Sequence, residues 1–328
     1  ENWLVDIGEL APSSLNVLGS GGFGYVLPAL YHGADVALKV CCRGTRDLPE
    51  VLATAAHELR LLRRLHHPNL VTFYGACVQN ETAELLLVLE HVHGPRLVEV
   101  AARPFKEVTF LTRLTLACDV ASALSYLHSR TPPIVHGDIK GGNALAERLP
   151  TRGVRGKLLD FGLSRLLRRG SPKMGGTRVW AAPEVTKGGA RPHPSTDIYS
   201  FGWVVFNLIS RRHPSELPES FRAAPTRAMP PPDPGPDSAP PVAAVMQLVT
   251  ACTSHSPEER PTISSLQPAM AQLYSRKKTA VDAGPEAGMN MAQCLDAVRG
   301  HMSQSENSAS DVPGGDGARA PSPRREAL

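Results

Sequence analysis

The chain has 328 residues, 42% of them hydrophobic and 20% charged, with a net charge of +4 and a pI near 8.8. This length suffices for a large core, or for two lobes with a cleft between them, and the composition fits a soluble globular domain. So mild and dispersed a positive charge excludes a nucleic-acid partner as an expectation. The six cysteines, at 41, 42, 77, 118, 252 and 294, show no CxxC spacing and read as reduced thiols. No run of eighteen apolar residues marks a membrane segment. The expected setting is the cytoplasm, or the cytoplasmic portion of a longer protein, because the chain begins at Glu1 without Met.

Residues 15–40 read as strands, with Val36 to Val40 a β-rich run and the glycines from Gly19 to Gly24 a turn between the first two. Asp47-Leu48-Pro49-Glu50 has the form of a helix start, and Leu52, Ala55, Leu59 and Leu62 follow at helical spacing until His66-His67-Pro68-Asn69 ends the element. Leu70 to Val78 and Glu84 to Val92 are β runs joined by the polar turn Gln79-Asn80-Glu81-Thr82. Residues 1–92 thus form a small β-rich lobe with one helix.

Beyond Gly94 the pattern turns helical. Leu114, Ala117, Ala121, Leu124 and Leu127 share one face of a predicted helix from Thr112 to Ser129. Ser195 and Thr196 are expected to cap an apolar helix from Asp197 to Ser210. Residues 214–241 hold ten prolines and read as a loop. Helices are expected from Val242 to Thr253 and from Ile263 to Tyr274. The larger lobe therefore covers 93–274, and 275–328 reads as a disordered tail with a faint helical stripe from Met289 to Met302.

Five motifs carry chemistry. They are Gly19-Ser20-Gly21-Gly22-Phe23-Gly24-Tyr25-Val26, Val36-Ala37-Leu38-Lys39, His136-Gly137-Asp138-Ile139-Lys140-Gly141-Gly142-Asn143, Asp160-Phe161-Gly162 and Ala182-Pro183-Glu184. Gly19, Gly21 and Gly24 let backbone approach phosphates, which a Cβ would hold away. Tyr25-Val26-Leu27 continues as a strand, whereas a dinucleotide fold needs a helix there. Lys39 stands thirteen residues after Val26, and Asp160 seventeen after Asn143. In this order and spacing the set resembles a eukaryotic protein kinase domain from Leu10 to Tyr274.

The resemblance implies an α+β, bilobal fold that binds ATP and Mg²⁺ and transfers the γ-phosphate to Ser/Thr hydroxyls of protein substrates. Under it, Lys39 holds the α/β-phosphates and is fixed by Glu58, with Glu50 better explained as a cap. Asp138 is the catalytic base and Lys140 steadies the transferring phosphate. Asn143 and Asp160 are the metal ligands. Leu18 and the glycine loop cover the nucleotide, while Val26, Ala37 and Leu145 sandwich adenine. Leu89 to Val92 form the hinge, with Glu90 and Val92 meeting the adenine edge. Leu62, His136 and Phe161 form a packed column, Glu184 and Arg260 an ion pair, and Asp197 holds the catalytic-loop backbone.

Lys140, Gly142 and Gly176-Thr177 resemble serine/threonine kinases. Trp3, Glu9-Leu10, the run His67 to Cys77 and Asp160 to Ser164 resemble the tyrosine-kinase-like group, which includes Raf-like and mixed-lineage kinases. Gly137 departs from the family, standing where an Arg normally pairs with an activation-loop phosphate. A phosphate on Ser164 or Ser171 would then lack its usual link, so basal activity without loop phosphorylation is expected. The competing classes are a pseudokinase scaffold, opposed by the presence of Lys39, Asp138 and Asp160, and a small-molecule kinase, opposed by Thr177 and Glu184–Arg260.

Overall fold

The computed structural model describes residues 3–14, 16–21, 24–40, 56–79, 84–150, 153–162, 164–166, 177–187, 193–218 and 240–281. Two units, Glu1–Lys278 and Thr279–Leu328, divide the chain, and of the second only 279–281 is described. The predicted helix start at Asp47–Glu50, the turn at 80–82, Gly22, Ser171, Cys41, Cys42, Cys294 and the stripe at 289–302 lie outside the described residues.

The first lobe is an antiparallel sheet of β1 (Leu10–Pro12), β2 (Gly19–Gly21), β3 (Gly24–Tyr31), β4 (Ala34–Val40), β5 (Phe73–Gln79) and β6 (Glu84–Glu90). The order is β1-β3-β4-β6-β5, with β2 hairpinned onto β3. Alternation sorts β4 into two faces. Val36 and Leu38 join Val5, Ala29 and Val88 in a small core on one side. Ala37 and Lys39 take the other side, where Val26 lies opposite Lys39, and Leu89 opposite Ala37. A helix over 56–62, α1, follows β4; Leu59 and Leu62 bury its apolar stripe in the main core.

The second lobe comprises α2 (Leu97–Ala102), α3 (Phe110–His128), β7 (Ile134–Val135), β8 (Ala144–Leu149), β9 (Gly153–Leu158), β10 (Arg165–Leu166), α4 (Pro183–Thr186), α5 (Pro194–Ser210), α6 (Pro240–Cys252) and α7 (Ile263–Val281). β8 pairs with β9 and β7 with β10. These short ribbons carry the motif loops. Gly94 is required by close approach, because a Cβ there would collide with the Ala146 carbonyl on β8. The fold is α+β, with a curled sheet in one lobe and helices in the other. α3 is long and apolar enough to cross a membrane by length and composition alone, but it is packed in the core.

Several expected ends move. Thr109 caps α3, accepting from the Thr112 N–H, so the helix starts two residues early. His193, not Ser195 or Thr196, caps α5; Pro194 occupies the first turn and leaves the two hydroxyl residues inside it. The proline-rich 214–241 segment is not wholly loop: Pro214–Glu216 is a 3-10 turn and α6 begins at Pro240. α7 continues through Val281, seven residues into the expected tail, because Ser275 to Val281 contains no glycine or proline to stop it.

α3 also buries a charge that its apolar stripe did not announce. Arg113 is inaccessible to solvent, and its guanidinium donates to carbonyls of Ala101, Arg103, Val108 and Leu208. Two of these lie in the last turns of α2 and α5, where unpaired carbonyls and helix dipoles favour a cation. Phe105 covers the guanidinium face. Burial lowers its pKa to about 10, so it stays charged at neutral pH. Arg113→Met should therefore cost roughly 3 kcal/mol by stranding buried carbonyls, with Arg113→Lys losing less. Urea denaturation midpoints measure this, and an unchanged Met variant would show the carbonyls are satisfied otherwise.

Candidate active site

Three charged side chains from three parts of the chain meet between the lobes. Lys39 Nζ lies 2.7 and 2.8 Å from the two Glu58 carboxylate oxygens and 2.7 Å from Asp160 Oδ1. β4 supplies the lysine, α1 the glutamate, and the loop after β9 the aspartate. Burial alone would lower the Lys39 pKa, but Glu58 and Asp160 outweigh it and hold it above the usual lysine value. Burial pushes the Glu58 carboxyl up against the pull of Lys39. For Asp160 the order reverses: burial opposes ionisation, yet Lys39 keeps its pKa below the ordinary range. Asp160 adopts φ +61°, a conformation rare for a residue with a Cβ and one that concentrates at functional sites.

Below this cluster the loop 136–143 is held by Asp197 at the start of α5. Its carboxylate accepts from the main-chain N–H groups of His136 (2.8 Å) and Gly137 (2.9 Å), and from His128 Nε2 (2.9 Å). Gly137 has φ +83°, which a side chain at this position would strain. His136 Nδ1 accepts from the Asp138 N–H, so Nε2 carries the proton and donates to the Leu159 carbonyl. Its ring lies 5.2 Å from that of Phe161, which shares the main core with Leu62.

Asp138 is fixed on every side. Oδ2 accepts from Lys140 Nζ (2.6 Å) and Asn143 Nδ2 (2.9 Å), and Oδ1 from the Thr177 N–H (3.2 Å) and hydroxyl (3.0 Å). Lys140 also donates to the Thr177 hydroxyl at 2.8 Å. Because the Asn143 amide nitrogen points at Asp138, its oxygen is turned away. That oxygen and the second Asp160 oxygen, which takes no hydrogen bond from Lys39, are hard donors of the kind that divalent cations accept.

The residues expected to face a nucleotide form a shelf above. Val26, Ala37 and Lys39 share one face of the sheet, Leu145 stands on β8, and Leu18 bonds through its N–H to the Val26 carbonyl. Val92 is buried, and its main-chain N–H and C=O have no partner among the described residues. The Glu90 side chain is directed elsewhere. It takes Lys157 Nζ at 2.6 and 2.7 Å together with the Thr72 N–H and hydroxyl, and its own N–H donates to the Thr72 carbonyl. Its side chain and N–H are therefore not available to the expected adenine edge. Ser164, expected as a phosphate acceptor, is fully buried with its hydroxyl donating to the His136 carbonyl.

A protein kinase domain model matches residues 13–271. The chain belongs to the protein kinase family. It is 36% identical over 206 residues to the serine/threonine-protein kinase CTR1 of Arabidopsis thaliana, covering 60% of this chain and 24% of that one. It is 31% identical over 266 residues to the dual specificity protein kinase splA of Dictyostelium discoideum, covering 76% and 11%. Dual specificity protein kinase shkD of the same organism is 30% identical over 269 residues, covering 79% and 34%. The chain thus spans between 11% and 34% of the length of these relatives.

In this kinase domain Glu184 and Arg260 form a two-pronged pair at 2.6 and 2.8 Å. Sequence reasoning missed three contributors. Thr177 was read as a class marker, although the close Gly176-Thr177 pair before Ala182-Pro183-Glu184 could have pointed to Asp138. Lys157 is buried on β9, unlike its strand neighbour Arg155, and its partner is Glu90. His57, beside Glu58, donates from Nε2 to the Ser164 carbonyl at 2.7 Å and ties α1 to the segment after Asp160.

Removing the Lys39 ammonium leaves two carboxylates facing each other, one of them buried. Lys39→Met should destabilise the domain by about 3 kcal/mol, and Lys39→Met/Glu58→Gln should recover more than half of that. Thermal melts of the two variants test this, and strict additivity would contradict it. Lys157 and Thr72 outweigh burial and depress the Glu90 pKa below 4.5. A depressed acid stabilises above its unfolded pKa and loses that contribution as pH falls through its folded value. The stability gap between wild type and Lys157→Met should therefore narrow as pH drops from about 6 to about 3. A constant gap in pH-dependent denaturation would mean Glu90 is not the partner that matters.

Proposed function

We propose that this domain is a protein kinase that moves the γ-phosphoryl group of ATP, bound with Mg²⁺, onto Ser/Thr hydroxyls of protein substrates in the cytoplasm. The supporting observation is the Asp138 carboxylate, oriented by Lys140, Asn143 and Thr177 below the Lys39–Glu58–Asp160 cluster. Protein kinases bind their nucleotide between two lobes, and residues 1–92 and 93–274 are read as those lobes here.

Lys39, held by Glu58, steadies the α/β-phosphates, while Val26, Ala37 and Leu145 enclose adenine and the Val92 main chain meets its edge. Asn143 and Asp160 would supply oxygen to Mg²⁺, which would offset the charge of the phosphates. The acceptor hydroxyl approaches Asp138, which takes its proton as the new O–P bond forms and the bond to the β-phosphate oxygen breaks. Lys140 balances charge on the phosphoryl group in passage. Thr177, shared by Asp138 and Lys140, positions both toward an alcohol of a bound chain. The serine/threonine name of the Arabidopsis relative agrees with this preference, while the dual specificity names of the Dictyostelium relatives make tyrosine a second acceptor to assay.

Incubation with labelled ATP and a generic basic protein, followed by phosphoamino-acid analysis, tests the reading. Asp138→Asn should lower transfer at least about a hundredfold while preserving the ATP-induced rise in melting temperature. Asp160→Ala should abolish the Mg²⁺-dependent part of that rise. Near-wild-type transfer by the first variant, or an unaltered shift in the second, would refute the respective assignment.

A further inference from the structure

Arg96 is a cation at the cleft that none of these roles uses. It is the residue before α2, where its side chain makes no capping bond. A bridge to Leu145 sets its backbone beside the adenine shelf. From there the half-buried guanidinium reaches between the lobes. Nη1 donates to the Gly142 carbonyl at 2.5 Å, next to Asn143, and Nη2 lies 2.8 Å from where a Cβ on Gly19 would stand. The fork thus lies between the first glycine of the loop above and the loop carrying Asp138 below.

Charge gives this placement its consequence. Lys39 is matched by Glu58 and Asp160, and Lys140 by Asp138, so these two ammonium groups face three carboxylates. Lys157 is matched by Glu90. A polyphosphate entering that arrangement meets an excess of negative charge before any metal is counted. Arg96 bonds one neutral carbonyl and has no carboxylate partner among the described residues, which leaves Nε and Nη2 free to donate. Guanidinium forks favour phosphate over neutral acceptors through paired, charge-assisted bonds.

We propose that Arg96 is a specificity-determining residue that reads the phosphate charge of the bound nucleotide, discriminating nucleotide from nucleoside. This rests on the reading of the cleft as a nucleotide site. Arg96 acts from the ribose side, through the donors it does not spend on Gly142, and complements Lys39 at the far end.

Equilibrium binding of adenosine, AMP and ADP to wild type, Arg96→Ser and Arg96→Lys tests it, with calorimetry as the readout. For Arg96→Ser the loss should grow along the series: within about twofold for adenosine, intermediate for AMP, and about tenfold or more for ADP. Arg96→Lys should retain part of the ADP affinity, since it keeps the charge but not the fork. The losses should shrink as salt is raised. Adenosine binding also reports that each variant is folded. Equal losses for adenosine and ADP would overturn the proposal, making Arg96 a brace between the lobes, and no loss for any ligand would overturn it as a solvent-facing arginine. Wild type binding none of the three would instead defeat the nucleotide reading itself.

Discussion

The Lys39 ammonium is the point at which sheet, helix and the loop after β9 are forced into one arrangement. Glu58 is buried on α1 and could not remain there ionised without a cation within reach. Asp160 comes from the other lobe and adopts a left-handed backbone conformation to meet the same nitrogen. The two carboxylates respond in opposite directions: Glu58 is raised by burial, and Asp160 is held low by Lys39. One positive charge therefore fixes the position of α1, the depth of the sheet face carrying Val26 and Ala37, and the direction in which Asp160 points.

The loop below is rigid for a different reason. Asp197 belongs to the start of the apolar helix α5 yet spends its carboxylate on two main-chain N–H groups of the loop and on His128. With His136 hydrogen-bonded at both ring nitrogens, the backbone leading to Asp138 has little freedom. Gly137 fits this path by its positive φ, so the residue whose absence of charge departs from the family is also the one the local geometry favours. His57 links α1 to the segment after Asp160, and the buried Ser164 hydroxyl links that segment to His136. Movement of α1 would thus be felt at both Asp160 and the loop that carries Asp138.

Charge is distributed so that most ionic groups are spent on one another. Arg113, Lys157–Glu90 and Arg260–Glu184 each satisfy buried groups far from the reacting atoms. Lys39 and Lys140 are committed within the cleft. This leaves Arg96 as a guanidinium between Gly19 and Gly142 whose bonding capacity is largely unspent, a consequence of where α2 begins and of the close approach that Gly94 permits.

The sequence by itself determined the fold class, the order of the longer elements and the candidates for the central residues. Those signals are local: strand alternation around Lys39, the spacing from Asp138 to Asn143, and the fixed interval to Asp160. Local pattern also set most helix cores, but not their ends, since capping by Thr109 and His193 depends on which of several nearby polar groups meets the free N–H. Tertiary structure alone decided the pairings. Whether Glu90 offers its side chain to a ligand or to Lys157, and whether Thr177 merely precedes Ala182-Pro183-Glu184 or holds Asp138, turns on residues 67 and 39 positions apart. The same holds for Arg113, whose partners are backbone carbonyls at the ends of other elements and leave no trace in residue type. A buried charge chooses its partner by proximity in space, and one-dimensional spacing carries that information only within a single helix, strand or turn.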